Sequence, residues 1–404
     1  MRIAAVSPFV DRSHGTERAL AELLERLARK EHCEIHLYAQ RVAGLALAQP
    51  GAAGSQNSGA IIWHKVPSIR GPHLVQFLAW LFLNSICRKW NRAIHGLRFD
   101  LVVSPGINCL DANLVIVHAL FHRLRELARD EPAGSAKPGF LRRFHRRAYY
   151  ALLAGMERRI YGDPKVLLAA VSQRTAALLK EYFRREDVPV IPNGVDTAQF
   201  SPSARLARRS EARLRRKIQE SDFVLLLIGN DWRVKGLETV FRAVNSLRDL
   251  PILVIAAGDD CPDSFRELAR SLGVLERCRF EPSREDVLDF YAAADLYVSP
   301  SSEDSFGLPV AEAMACGLPV ITSHFAGIAE LVQNGVDGFV LRDPCDEKEL
   351  AELLKQLSRD HELRQRVGTV AAASASAWNW DRNADAVWQL LQDALQKKRR
   401  TLPS

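Results

Sequence analysis

Phe223 to Ile228, FVLLLI, is a run of six apolar residues with no polar alternation, closed by Gly229. A strand that is apolar toward both sides has to be covered on both faces, which calls for a parallel sheet between layers of helices. Behind it come GNDWRVKG and a stretch of helical period over 237–247. The start of the chain opens in the same way. Arg2 to Phe9 is a compact apolar strand, Gly15 lies in the turn, and apolar positions at 20, 23, 24 and 27 mark a helix. Two such openings in 404 residues predict two α/β domains, each with room for its own core.

Further strands are expected at Glu34 to Tyr38, Ile61 to Val66, Asp100 to Ser104, Asn113 to His118 and Val166 to Ser172. In the second half they are expected at Ile252 to Ala257, Cys278 to Glu281, Leu296 to Ser299, Val320 to Thr322 and Gly338 to Leu341, with a helix at 326–333. The first sheet ends at VIPNGVD, so the domains are placed at 1–197 and 198–380, with 381–404 as a helix returning to the first domain and a basic tail. Trp378, Trp380 and Trp388 are read as core anchors of that return. Leu74 to His95 is apolar over much of its surface and reads as a core helix, with membrane contact as the second reading.

Ser299 to Gly317, SPSSEDSFGLPVAEAMACG, turns from loop to helix. Ser301, Ser302, Asp304 and Ser305 are turn and N-cap types, Phe306-Gly307 is a hinge, Pro309 suits a first helical turn and Gly317 stops the run. The start of such a helix offers backbone N–H groups and a positive dipole end, a ready place for phosphate. Asp304 and Glu312 frame it, with seven residues between them, so that two carboxylates could hold hydroxyls on either side of a bound diphosphate. An ordinary capped helix with solvated acids is the plainer reading. Arg233 and Lys235, in the loop after FVLLLI, are placed where they could neutralise that diphosphate. In the first half, Gly15 lets the backbone approach a ligand, Thr16 and Arg18 follow it, and His118 ends a buried-type strand where it could touch substrate.

The formal charge of +7 is local. From His122 to Arg159 there are ten Lys/Arg against four Asp/Glu, from Arg205 to Lys217 seven against one, and Lys397 to Arg400 end the chain. Such stretches suit an anionic membrane, a phosphorylated or acidic acceptor, or nucleic acid. No motif that reads RNA or DNA accompanies them, so no nucleic-acid partner is expected. Seven scattered cysteines without a close pair point to a reducing compartment and no zinc site. No signal segment and no membrane-spanning run is evident, so a cytoplasmic protein is expected.

In order along the chain, VIPNGVDTAQFSP, the G-x-D-x-x-x-KG loop at 229–236, FYAAADLYVSPSSEDSFGLPVAEAMACGLPVI and GVDGFVL resemble the retaining glycosyltransferases of family 4. Within it the 118–161 region and the 229–236 loop look most like lipopolysaccharide-core glucosyltransferases. The resemblance implies the GT-B fold, two Rossmann-like doubly wound domains facing a central cleft. It implies transfer of a hexose from a nucleoside-diphosphate sugar to an acceptor hydroxyl, without a metal or other cofactor. Glu312 matches the residue on the donor ribose, and Phe306, Gly307 and Leu308 match the amides around sugar and phosphate. Arg233 and Lys235 match the diphosphate pair, Gly15 the loop glycine near the transferring phosphate and His118 a histidine near the hexose. Thr16 and Arg18 are candidate acceptor contacts. Two positions depart from the pattern: the first carboxylate is Asp304, with Glu303 beside it, where Glu is usual, and Asn230 stands for a common Arg. A glycan or glycolipid acceptor at the inner membrane face fits the basic 122–159 segment. An epimerase or hydrolase of the same fold, and a non-catalytic anion or nucleic-acid binder, are the other readings.

Overall fold

A computed structural model describes residues 1–12, 15–48, 61–127, 140–284 and 286–401, and only the backbone at 140–146 and 399–401. Two compact units result: Met1–Pro192 with Asp381–Ser404, and Asn193–Trp380.

The main sheet of the first unit holds six strands: β1 (Arg2–Val6), β2 (Glu34–Ala39), β3 (Ile61–Lys65), β4 (Leu101–Ser104), β5 (Leu114–Val117) and β6 (Leu167–Ala170). They lie in the order β3-β2-β1-β4-β5-β6, every pair parallel, with Ile3 opposite Ile35 on one side and Leu101 on the other. The second unit repeats the plan with β7 (Phe223–Ile228), β8 (Ile252–Ala257), β9 (Cys278–Glu281), β10 (Leu296–Ser299), β11 (Val320–Ser323) and β12 (Phe339–Leu341), in the order β9-β8-β7-β10-β11-β12, again all parallel. Each sheet is thus a doubly wound Rossmann sheet whose order reverses at its centre, between β1 and β4 and between β7 and β10. Ligands of such sheets sit beyond the carboxyl ends of the strands at that reversal.

Both faces of β7 are filled, which is why its sequence does not alternate: Phe223 to Leu227 are all buried. Trp232, in the loop after it, is 1% exposed and plugs the same core edge-on to Phe265. The last helix, Trp380–Thr401, returns to the first unit. It buries Ala384, Val387, Leu391 and Ala394 there, pairs Asp381 with Arg26 at 2.8 Å and Asp385 with Lys30, and donates from Asn383 to the Pro192 carbonyl. Trp380 is buried, while Trp378 and Trp388 are half-buried.

Three sequence expectations change. The stretch at 326–333 is a short 3-10 turn, Gly327–Leu331, because the Gly327 and Ile328 amides bond the carbonyls of Asp304 and Phe306 instead of extending a helix. Helix His73–His95 is a core helix on one face only: Trp80 lies in the core with Phe77, Leu81, Leu83 and Cys87 packed against it, while Val75, Leu78, Phe82, Ile86, Trp90 and Ile94 are exposed. The basic run at 205–217 is largely consumed inside its own unit. Arg208 pairs with Asp286, Arg209 and Arg213 with Asp295, Arg215 with Asp289 and Arg216 with Glu281, at 2.5–3.3 Å, and Arg205 bonds the Cys316 carbonyl. Of the basic 122–159 segment, residues 128–139 and the side chains of 140–146 lie outside the described residues.

Candidate functional site

The loops that leave the reversal point of the second sheet are 229–236, after β7, and 300–307, after β10. They are sewn together. The Ser302 backbone N–H donates to the Val234 carbonyl at 2.8 Å, and its hydroxyl reaches the same oxygen at 3.3 Å. Gly236 has φ 80°, and a Cβ on it would stand 2.2 Å from the Pro300 carbonyl oxygen. Only glycine permits that approach.

Across this seam Lys235 Nζ donates to Asp304 Oδ2, with both side chains about one-sixth exposed (15% and 16%). Asp304 is fixed from the other side as well. Its amide bonds the Phe325 carbonyl at 3.1 Å, its carbonyl accepts from Gly327, and its Oδ1 accepts from the Phe306 amide at 3.3 Å. Beneath it the hydroxyls of Ser299 and Ser301 lie 2.8 Å apart, and Ser323 Oγ donates to the Ser301 carbonyl. Through Ser323, the last residue of β11, the Ser301 carbonyl and the Phe325 amide are thereby tied to a strand end.

Helix Leu308–Ala315 starts directly after this loop, with Gly307 at φ 95° as its N-cap and proline in the first turn. A Cβ at Gly307 would meet Ile328 Cγ2 at 2.8 Å, so the turn packs tightly as well as bending left-handed. No side chain caps the helix, which leaves its first amides and dipole end for a ligand anion. Glu312, one turn in, is 3% exposed, and the Tyr291 hydroxyl donates to its Oε2 at 2.7 Å. Tyr291 is itself buried edge-on against Phe200 and also bonds the Pro309 carbonyl.

Of the residues named from sequence, Lys235, Asp304, Phe306, Gly307, Leu308 and Glu312 thus form one cluster of loop and helix start. Arg233 is exposed on the same loop, and Glu303 is half-buried beside Asp304. Asn230 acts within the fold, its Oδ1 accepting from the Asp259 amide at 2.8 Å and so joining the loops after β7 and β8. Gly15, Thr16, Arg18 and His118 belong to the first unit. Gly15 opens helix Gly15–Ala28 on the surface, and a Cβ there would meet nothing within 4 Å. Thr16 and Arg18 are half-buried in its first turn. His118 follows β5, its Nδ1 3.3 Å from the Ile116 carbonyl. Sequence reasoning missed Tyr291 and the 323–328 segment that clamps Asp304. The only signal for Tyr291 was its place in FYAAADLYVSP.

Two family models match the chain: glycosyltransferase family 4 over residues 13–199 and glycosyl transferases group 1 over 208–373. Among curated proteins it is 31% identical over 252 residues to a D-inositol 3-phosphate glycosyltransferase of Thermobifida fusca, covering 59% of this chain and 57% of that one. It is 34% identical over 224 residues to the protein of the same description from Salinispora arenicola, covering 52% and 50%. The matched stretch spans about half the length of these relatives. Among solved structures, WaaG, a glycosyltransferase involved in lipopolysaccharide biosynthesis, superposes with a TM-score of 0.74 at 22% identity over 95% of this chain and 98% of its own. Anabaena HepE in complex with UDP-glucose gives 0.70 at 19% identity over 97% and 100%. At these identities the structural likeness speaks for the fold, which is GT-B.

Proposed function

The chain belongs to the family 4 glycosyltransferases, and from that premise we propose that it moves a hexose from a nucleoside-diphosphate sugar to an acceptor hydroxyl with retention of anomeric configuration. The observation that carries this is the Lys235–Asp304 pair at the reversal of the second sheet, beside an uncapped helix start. Without ligand the two charges satisfy each other. A diphosphate would draw Lys235, with Arg233 from the same loop and the amides at Gly307 and Leu308. Asp304 would then be released to accept hydrogen bonds from hexose hydroxyls, and Glu312 to accept from the ribose. The bond between the anomeric carbon and the diphosphate oxygen breaks as the acceptor oxygen bonds that carbon from the same face, and the acceptor proton passes to the leaving diphosphate. Fixed cations aimed at the growing negative charge favour the transition state over the bound donor. They supply the charge neutralisation for which other transferases use a metal. His118, Gly15, Thr16 and Arg18 are assigned to the hexose and acceptor side. A glycan or glycolipid acceptor at the cytoplasmic membrane face fits the basic surface.

Calorimetry with UDP-, GDP- and ADP-sugars tests this on the wild type, Glu312→Gln and Lys235→Met. One donor is expected to bind, and more weakly to Glu312→Gln. Lys235→Met is expected to slow transfer on the order of 10²-fold or more, the usual cost of removing one preorganised charge-stabilising group. Binding of none of the three would sink the proposal. Turnover of the donor without any acceptor would instead favour an epimerase or hydrolase.

A further inference from the structure

Helix His73–His95 carries apolar side chains on two faces, one on the core and one exposed. Its polar side chains Asn84 and Arg88 point inward, where Asn84 donates to the Trp80 carbonyl at 2.7 Å and Arg88 grips Asp111 at 2.6 and 2.8 Å. Trp80 is buried beside them and Phe77, Leu81 and Leu83 pack on the same core, while a second set of large apolar side chains points outward. Val75, Leu78, Phe82, Ile86, Trp90 and Ile94 are all exposed, Phe82 by 66% and Trp90 by 62%. Spaced three and four apart, they form one stripe about 28 Å long at 1.5 Å per residue, on the side away from Trp80, Asn84 and Arg88. A contiguous apolar face of that length is a surface that some partner covers.

The charges say which partner. Lys89, Arg92 and Arg98 are exposed at the carboxyl-terminal end of the stripe, around Trp90 and Ile94, and no Asp or Glu occurs between His73 and Phe99. Apolar side chains with an aromatic ring at the level of unopposed cations fit the interface of an anionic bilayer, where tryptophan settles among headgroups and lysine and arginine meet lipid phosphate. Among the described residues no helix is long and apolar enough to cross a membrane, so this one would lie on it. The neighbouring helix Phe140–Tyr161 packs against it through Tyr149, edge-on to Phe77 at 6.2 Å, and adds the exposed cations Arg147, Arg158 and Arg159 to the region. We propose that helix His73–His95 is a membrane-docking element that lays the Val75–Ile94 stripe into an anionic lipid surface, with Lys89, Arg92 and Arg98 on lipid phosphates.

This goes beyond the transferase reading and stands or falls without it. The full-length chain would be sedimented with phosphatidylcholine vesicles, with and without phosphatidylglycerol. Wild type is expected to bind the anionic vesicles and release in high salt. Lys89→Gln/Arg92→Gln is expected to weaken that binding about twenty-five-fold, at roughly fivefold per cation. Phe82→Ser/Trp90→Ser is expected to abolish it. Both pairs lie on the surface, so donor calorimetry and melting on the same variants should match wild type, which separates a failure here from a failure of the donor site. Binding to neither vesicle type, or binding that both variants retain, overturns the proposal. A concentration-dependent dimer in lipid-free size-exclusion chromatography that Phe82→Ser/Trp90→Ser dissociates would also overturn it, assigning the stripe to a second copy.

Discussion

His64 lies on β3, at the edge of the first sheet, and its ring is part of a one-way chain of hydrogen bonds. Asn91 Nδ2 donates to His64 Nδ1 at 3.1 Å, His64 Nε2 and His36 Nδ1 are 2.8 Å apart, and His36 Nε2 is 2.8 Å from Glu34 Oε1. That polarity holds with both rings neutral and one proton on each Nε2. Burial, with the neighbouring His36 and His95 added, pushes His64 down to about 4, and burial lowers His36 too, against the pull of Glu34. Both folded values therefore lie below the ordinary histidine value, so the unfolded chain binds more protons in between. Stability is then complete above about pH 6.5 and is lost as pH falls toward about 4. For His64 alone the loss is at most about 3 kcal/mol, reduced by solvent at the half-buried ring. Urea titrations across that range should show the midpoint falling, and His64→Gln, which can still accept from Asn91 and donate to His36, should flatten the slope. An unchanged slope in the variant would place the pH dependence elsewhere.

At the scale of elements, the site depends on two loops that touch through a glycine. At Gly236 a side chain would need both a left-handed backbone and a shift of Pro300, so Gly236→Ala should cost about 2–4 kcal/mol and separate Lys235 from Asp304. Gly15 offers the contrast. A Cβ there meets nothing, so Gly15→Ala should leave the melting temperature unchanged yet reduce transfer if a phosphate approaches that backbone. Melting and transfer rates on the two variants check both, and a large loss of stability in Gly15→Ala would contradict the open space around it. The strands were legible because burial on both faces writes itself as unbroken apolar runs, and Phe223 to Ile228 and Ile252 to Ala257 fall where those runs put them. That a helix starts near Pro309 was legible from the proline, but its cap is Gly307 and not one of the serines or Asp304 before it. What was not legible is direction and distance. Composition shows that His73–His95 is apolar but not that Phe82 and Trp90 face outward. Arg209 and Arg213 look like a free basic patch until Asp295, more than eighty residues away, is folded against them. Tyr291 and Glu312 lie on different helices, and only the folded chain brings them within hydrogen-bond distance.

At the scale of the whole chain, the last helix belongs to the unit made by the first residues, and this gives the two units unequal debts to the carboxyl terminus. Cutting after Trp380 removes Ala384, Val387, Leu391 and Ala394 from the first unit's core, together with the pairs Arg26–Asp381 and Lys30–Asp385. Uncovering one valine, one leucine and two alanines costs upward of about 4 kcal/mol in apolar burial, a large part of the ~5–15 kcal/mol by which a domain is stable. The surface pairs, with Asp381 and Asp385 mostly exposed, add little. The second unit loses nothing of its sheet or of the Lys235–Asp304 seam. Hydrogen exchange of the truncated chain should therefore show strands β1 to β6 exchanging far faster, with β7 to β12 protected as in the full chain. Donor binding is expected to survive to the extent that the second unit alone holds the donor, and transfer is expected to disappear. Equal deprotection of both sheets would mean that the two units unfold as one, and the last helix would then be a clamp on the entire molecule and not part of the first core.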